Sequence, residues 1–250
     1  MEHRGECVGV VSGKGGTGKT SFTAGTGAAL ARLGRRVLCV DCDVGLRNLD
    51  LALGLTDQAV MNFADVALNR CTLQEAAVEH PLLPGLFLLN APASGEREEV
   101  TQDAMRELLA EARKTYDFCL LDAPAGLGYG FSLATCGASR VVVIAGLDPP
   151  SLRDAQRTAM ELEEIPTVHI VVSRVRRRLL NHMGATIDDA MDSAGLPLLG
   201  LVPEDESVSL ALSRGTPVEL SAPKSPAAAA YRNIARRLVG ERADLLRIRW

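Results

Sequence analysis

The sequence predicts an α/β fold, a doubly wound and mostly parallel sheet with helices on both faces. Two observations predict it. Short apolar runs alternate with helix-period segments along the 250 residues, and a glycine-rich turn joins the first run to the first helix. Ligands of such sheets bind beyond the carboxyl ends of the strands, so chemistry is sought where each apolar run stops.

The first run, Cys7–Ser12, is short and mostly apolar, as a buried parallel strand requires. It leads into GKGGTGKT, Gly13 to Thr20, which satisfies the P-loop pattern in full: Gly13, four residues, Gly18, Lys19, Thr20. The backbone of Gly13, Gly15, Gly16, Thr17 and Gly18 can wrap phosphates with its N–H groups inward, and the helix beginning near Ser21 adds a favourable dipole. Lys19 is expected to reach the β- and γ-phosphates, and the Thr20 hydroxyl to bind Mg²⁺. Residue usage agrees. The chain carries 23 arginines against four lysines, and two of those lysines, Lys14 and Lys19, sit in this loop, where a compact ammonium suits phosphate better than a planar fork. The helix Ser21–Leu33 stops at Gly34.

Strands are expected at Arg36–Asp41, Leu86–Asn90, Phe118–Asp122, Arg140–Ala145, Val168–Ser173 and Leu198–Val202, and helices at Thr101–Thr115, Ser151–Glu163, Ile187–Ala194, Ser207–Ser213 and Pro226–Val239. Two strands end in carboxylates. Val40-Asp41-Cys42-Asp43 points Asp43 toward the γ-phosphate, where it can orient or deprotonate the attacking water; otherwise it caps the next segment. Asp122, before Ala123-Pro124-Ala125-Gly126, is a Walker-B candidate that holds Mg²⁺ directly or through water; otherwise it caps a turn before Pro124.

Composition narrows the classes. The chain is 47% apolar and carries a net charge of −4, so it can bury a core and has no global field for nucleic acid. No run approaches the length needed to cross a membrane, and Met1 to Glu6 lacks the features of a signal peptide. Six cysteines read as reduced thiols in a cytoplasm. Cys39 and Cys42 form a CxxC without a second pair, and read as core residues side by side. The run Arg174 to Arg178 reads as a solvated strand end, with DNA phosphate contact as the alternative.

KGGTGKT with Lys14 resembles the deviant Walker A box of the MinD/ParA ATPases. VDCDVGLRNLDLALGL (Val40–Leu55), DAPAG (Asp122–Gly126), SLRDAQR (Ser151–Arg157), VPEDESV (Val202–Val208) and AYRNIARRLVG (Ala230–Gly240) resemble the MinD branch of that family, in order, over nearly the whole chain to Gly240. The resemblance implies a Mg²⁺-dependent ATPase whose two subunits sandwich two ATP molecules. Lys14 would cross to the partner's phosphates, Asp43 would position water and join the metal surroundings, Asp122 would complete the Mg²⁺ shell, and Pro203, Glu204 and Asp205 would lie near the adenine. Where relatives often carry an adenine-reading asparagine, this chain has Ser173.

The implied role is placement of the division septum by cycling between cytoplasm and inner membrane surface, with MinC- and MinE-like regulators as partners. The alternatives are a FlhG- or ParA-like positioning ATPase, a metal-cluster carrier using Cys39 and Cys42 or Cys136, and a non-hydrolysing scaffold. Residues 1–240 then form one ATPase domain and 241–250 a tail. In that tail Leu245, Leu246, Ile248 and Trp250 with Arg242, Arg247 and Arg249 suit a membrane contact. The same alternation suits a strand or a docked end.

Overall fold

The computed structural model describes residues 5–44, 46–56, 58, 60–93, 100–176 and 187–245. Eight strands form one sheet in the order β3-β4-β2-β5-β1-β6-β7-β8. They are β1 (Glu6–Val11), β2 (Val37–Asp41), β3 (Val78–Glu79), β4 (Leu86–Leu89), β5 (Phe118–Asp122), β6 (Arg140–Ala145), β7 (Val168–Val175) and β8 (Leu198–Pro203). All pairings are parallel except β3 with β4. Residues of β1, β2 and β5 are buried almost throughout, which is why these strands read as continuous apolar runs.

The helices are α1 (Lys19–Arg32), α2 (Leu49–Leu53), α3 (Phe63–Ala67), α4 (Leu73–Ala76), α5 (Gln102–Thr115), α6 (Tyr129–Thr135), α7 (Pro149–Met160), α8 (Ile187–Ala194), α9 (Glu206–Ser213), α10 (Val218–Ser221) and α11 (Pro226–Leu238). One layer packs α1, α2, α10 and α11 on the sheet face that carries Val8, Cys39, Leu88 and Leu120. The other packs α3 to α6 on the face that carries Cys7, Val40, Leu89 and Leu121. α1 is buried along nearly its whole length between sheet and α11. A Cβ on Gly25 would stand 2.4 Å from the Tyr231 ring and one on Gly27 2.7 Å from Cys39 Sγ. Each glycine costs about 1 kcal/mol of helix propensity, which this close approach offsets.

Most expected elements form, with ends moved by local chemistry. α1 starts at Lys19, two residues early, because Gly18 at φ 95° turns the loop directly into helix. α7 starts at Pro149, since Asp148 caps it by accepting from Ser151 N, and ends at Met160. α5 and α11 are capped by Thr101 and Ser225. β4 stops at Leu89, and Asn90 makes only an isolated bridge to Asn62. One reading is corrected. Cys39 and Cys42 are both fully buried, yet they lie in opposite layers, because three positions along extended chain reverse the face. They cannot share a metal ion.

Candidate active site

Ser12 and the glycine loop follow β1, and the loop is shaped by its own contacts. The Ser12 hydroxyl donates to Lys14 O at 2.7 Å and accepts from Lys19 Nζ at 2.7 Å. Gly16 and Gly18 lie at φ 77° and 95°, with open space where a Cβ would point. Gly13 abuts α7: a Cβ there would stand 2.6 Å from Asp154 Cβ. From β7, Ser173 donates its hydroxyl to Thr17 O at 2.5 Å and Arg174 donates to Gly16 O at 3.0 Å.

The loop opens on a cavity of about 1110 Å³. Gly15, Gly16, Thr17, Gly18, Lys19, Thr20, Ser21, Asp43, Pro203, Glu204 and Asp205 all line it. Gly13 lies under α7 instead. Lys14 turns away, with Nζ 3.0 Å from Asp148 Oδ1. Lys19 stays in the cavity, only 8% exposed; burial lowers its pKa, against the pull of Asp122 and Asp43. Thr17 also lines the cavity, and its buried hydroxyl has no partner among the described residues. A cationic amine beside a loop whose Gly16 and Gly18 leave open space where a Cβ would point fits a nucleoside triphosphate.

Behind the loop, β2 and β5 bring Asp41 opposite Asp122. The Thr23 hydroxyl lies 3.1 Å from Lys19 O and 3.2 Å from Asp122 Oδ1. Burial first, then the neighbouring Asp41, pushes Asp122 up to about 7, against hydrogen bonds from Thr20 and Thr23 and the charge of Lys19. Burial also raises Asp43, against Lys19. Thr20, Asp43 and Asp122 supply hard oxygen donors, which fit Mg²⁺.

Asp122 therefore predicts a pH dependence. A carboxyl raised to about 7 must lose its proton before it serves a divalent cation, so apparent Mg²⁺ affinity weakens as pH falls below 7, by up to about tenfold per unit. Without metal the sign for folding is opposite: a raised carboxyl favours the protonated fold, so stability declines as pH rises from about 4 to 7. Mg²⁺ titrations of ATP hydrolysis between pH 6 and 8 check this. A flat affinity would remove Asp122 from the metal.

Three contacts were not read from the sequence. Asp41 accepts from Asp43 N at 2.8 Å and Leu49 N at 3.1 Å, so it ties down the segment that carries Asp43. The doubled aspartate of VDCD was the available signal, since positions 41 and 43 share a face in extended chain. Asp148 is the partner of Lys14. Arg174 and Arg176 both bind Glu204 and stay exposed at the end of β7, in keeping with a solvated strand end; Arg177 and Arg178 lie outside the described residues.

A parallel sheet whose first strand feeds a lysine-bearing phosphate loop, backed by carboxylates on the neighbouring strand ends, defines a Mg²⁺-dependent P-loop nucleotidase. Residues 8–218 match the CobQ/CobB/MinD/ParA nucleotide binding domain. The septum site-determining protein MinD of Synechocystis is 37% identical over 236 residues, 93% of this chain and 88% of that protein. A chain of the MinC:MinD cell division protein complex of Aquifex aeolicus superposes with a TM-score of 0.89 at 33% identity, covering 97% of this chain and 98% of that one. MinD of Pyrococcus horikoshii complexed with Mg-ADP gives 0.84 at 28%, covering 93% and 95%. The chain belongs to this nucleotide-binding family and, within it, to the septum site-determining MinD ATPases.

Proposed function

We propose that this chain is the nucleotide-driven switch of septum placement: Mg·ATP in the cavity drives a homodimer, and hydrolysis releases it. The separation of the two loop lysines carries the reading. Lys19 serves the chain's own cavity, whereas Lys14 points out of it to an exposed carboxylate, from where it is available to a second subunit's phosphates. An amine supplied across an interface acts on transition-state charge as an arginine finger does. Thr20 and Asp122 hold Mg²⁺, Asp43 places the water, and Pro203 to Asp205 border the base.

MinC is the partner in the Aquifex complex, and a MinC-like protein and a MinE-like activator are the regulators proposed for this chain. Residues 1–240 are the ATPase domain and 241–250 the tail that meets the inner face of the membrane. Among the described residues no helix is long and apolar enough to cross a membrane, and the contact proposed is peripheral. The tail begins held to the domain, with Ala243 O accepting from Arg237 at 2.9 and 2.8 Å. Its remainder, Leu246 to Trp250, lies outside the described residues.

Trp250 is the only tryptophan, so intrinsic emission reports the tail alone. One short tail binds lipid marginally and two in a dimer gain avidity. Emission is expected to shift to the blue with anionic liposomes plus Mg·ATP, much less with ADP, and less at high salt through Arg242, Arg247 and Arg249. A spectrum unmoved by lipid in every nucleotide state removes the membrane step.

A further inference from the structure

Asn90 is 1% exposed, and neither its Nδ2 nor its Oδ1 has a partner among the described residues. Its backbone is fixed: Asn90 O accepts from Phe63 N at 2.9 Å, and the residue bridges Asn62. Its place in the sheet is equally fixed. β2 and β4 pair up to Val40 with Leu89, so Asp41 and Asn90 follow as the next neighbours. Both continue the face of Cys39 and Leu88. An uncommitted amide thus stands one strand from the carboxylate that holds Asp43 N and Leu49 N. Those two bonds use half of the four acceptor positions of Asp41.

We infer that Asn90 is a positioning residue for hydrolysis, whose side-chain N–H takes Asp41 as its partner when the segment from Asp43 to Leu49 adopts its Mg·ATP arrangement. The inference rests on the proposed role of Asp43. A buried amide without a partner costs free energy. Gaining one in the ATP-bound arrangement biases the segment toward it. The phosphate cavity itself lacks Asn90, so binding of ATP is largely independent of it.

Asn90→Leu and Asn90→Asp test this. Asn90→Leu keeps the branched shape and removes the orphaned amide; it should leave the melting temperature without nucleotide unchanged or higher. It should also shrink the rise produced by Mg·ATP and lower kcat on the order of tenfold, the scale of one hydrogen bond, with KM for ATP little altered. Asn90→Asp keeps the shape but sets a second carboxylate beside Asp41, and should lower kcat at least as far. A lower melting temperature of nucleotide-free Asn90→Leu would mean that the amide is already partnered there, and an unchanged kcat that it positions nothing; either overturns the inference. Combining Asn90→Leu with Asp43→Ala separates the two readings. If Asp43→Ala alone leaves turnover intact, the Asp43 role fails, and the melting temperatures still decide whether Asn90 gains a partner with Mg·ATP.

Discussion

Lys19→Ala is expected to weaken ATP binding on the order of 10³-fold, the loss of charged hydrogen bonds to two phosphates. The side chain is buried in the cavity, and its Nζ is held at 2.7 Å by Ser12, so no other cation in the loop can take its place. Lys14→Ala should behave differently. Lys14 lies outside the cavity against Asp148, so the monomer's affinity for ATP changes by less than about threefold, the scale of an exposed ion pair. The ATP-dependent dimer should disappear and turnover fall about 10³-fold, the range of a finger residue supplied by a second subunit. Equilibrium dialysis with labelled ATP and sedimentation velocity read the two effects separately. A Lys14→Ala protein that still dimerises with ATP and hydrolyses it normally would exclude the cross-interface role.

Asp43→Ala should lower kcat by about 10²-fold or more, as for loss of a group that places the attacking water. The variant is clean because the segment is held by its backbone: Asp43 N and Leu49 N both donate to Asp41, and neither bond involves the Asp43 side chain. Mg·ATP should still bind through Lys19, Thr20 and Asp122. Phosphate-release assays at saturating Mg·ATP measure the loss, and an unchanged kcat would reduce Asp43 to part of the wall.

The sheet was legible because each central strand is buried on both faces, and the phosphate loop because its function is local in sequence. What escaped was either very short or very non-local. α2, α3, α4, α6 and α10 span four to seven residues each, at most two turns, too few to show a helical period. β3 is two residues long and exists through pairing with β4. The Lys14–Asp148 pair joins positions 134 apart, and Arg174 reaches Gly16 across 158; neither leaves a local mark. The reading of Cys39 and Cys42 went wrong on facing, although a period of two predicts their separation. Asp41 was overlooked because Asp43 beside it offered the more obvious chemistry.

The grip of Ser173 and Arg174 on the loop has a thermodynamic consequence. These side chains hold the carbonyls of Thr17 and Gly16, which fixes the intervening peptide through contacts of the chain's own. The conformational entropy of the loop is thus surrendered during folding rather than during association. Damage at Ser173 or Arg174, far from the loop in sequence, would therefore surface as poorer nucleotide capture by a loop whose own sequence is intact.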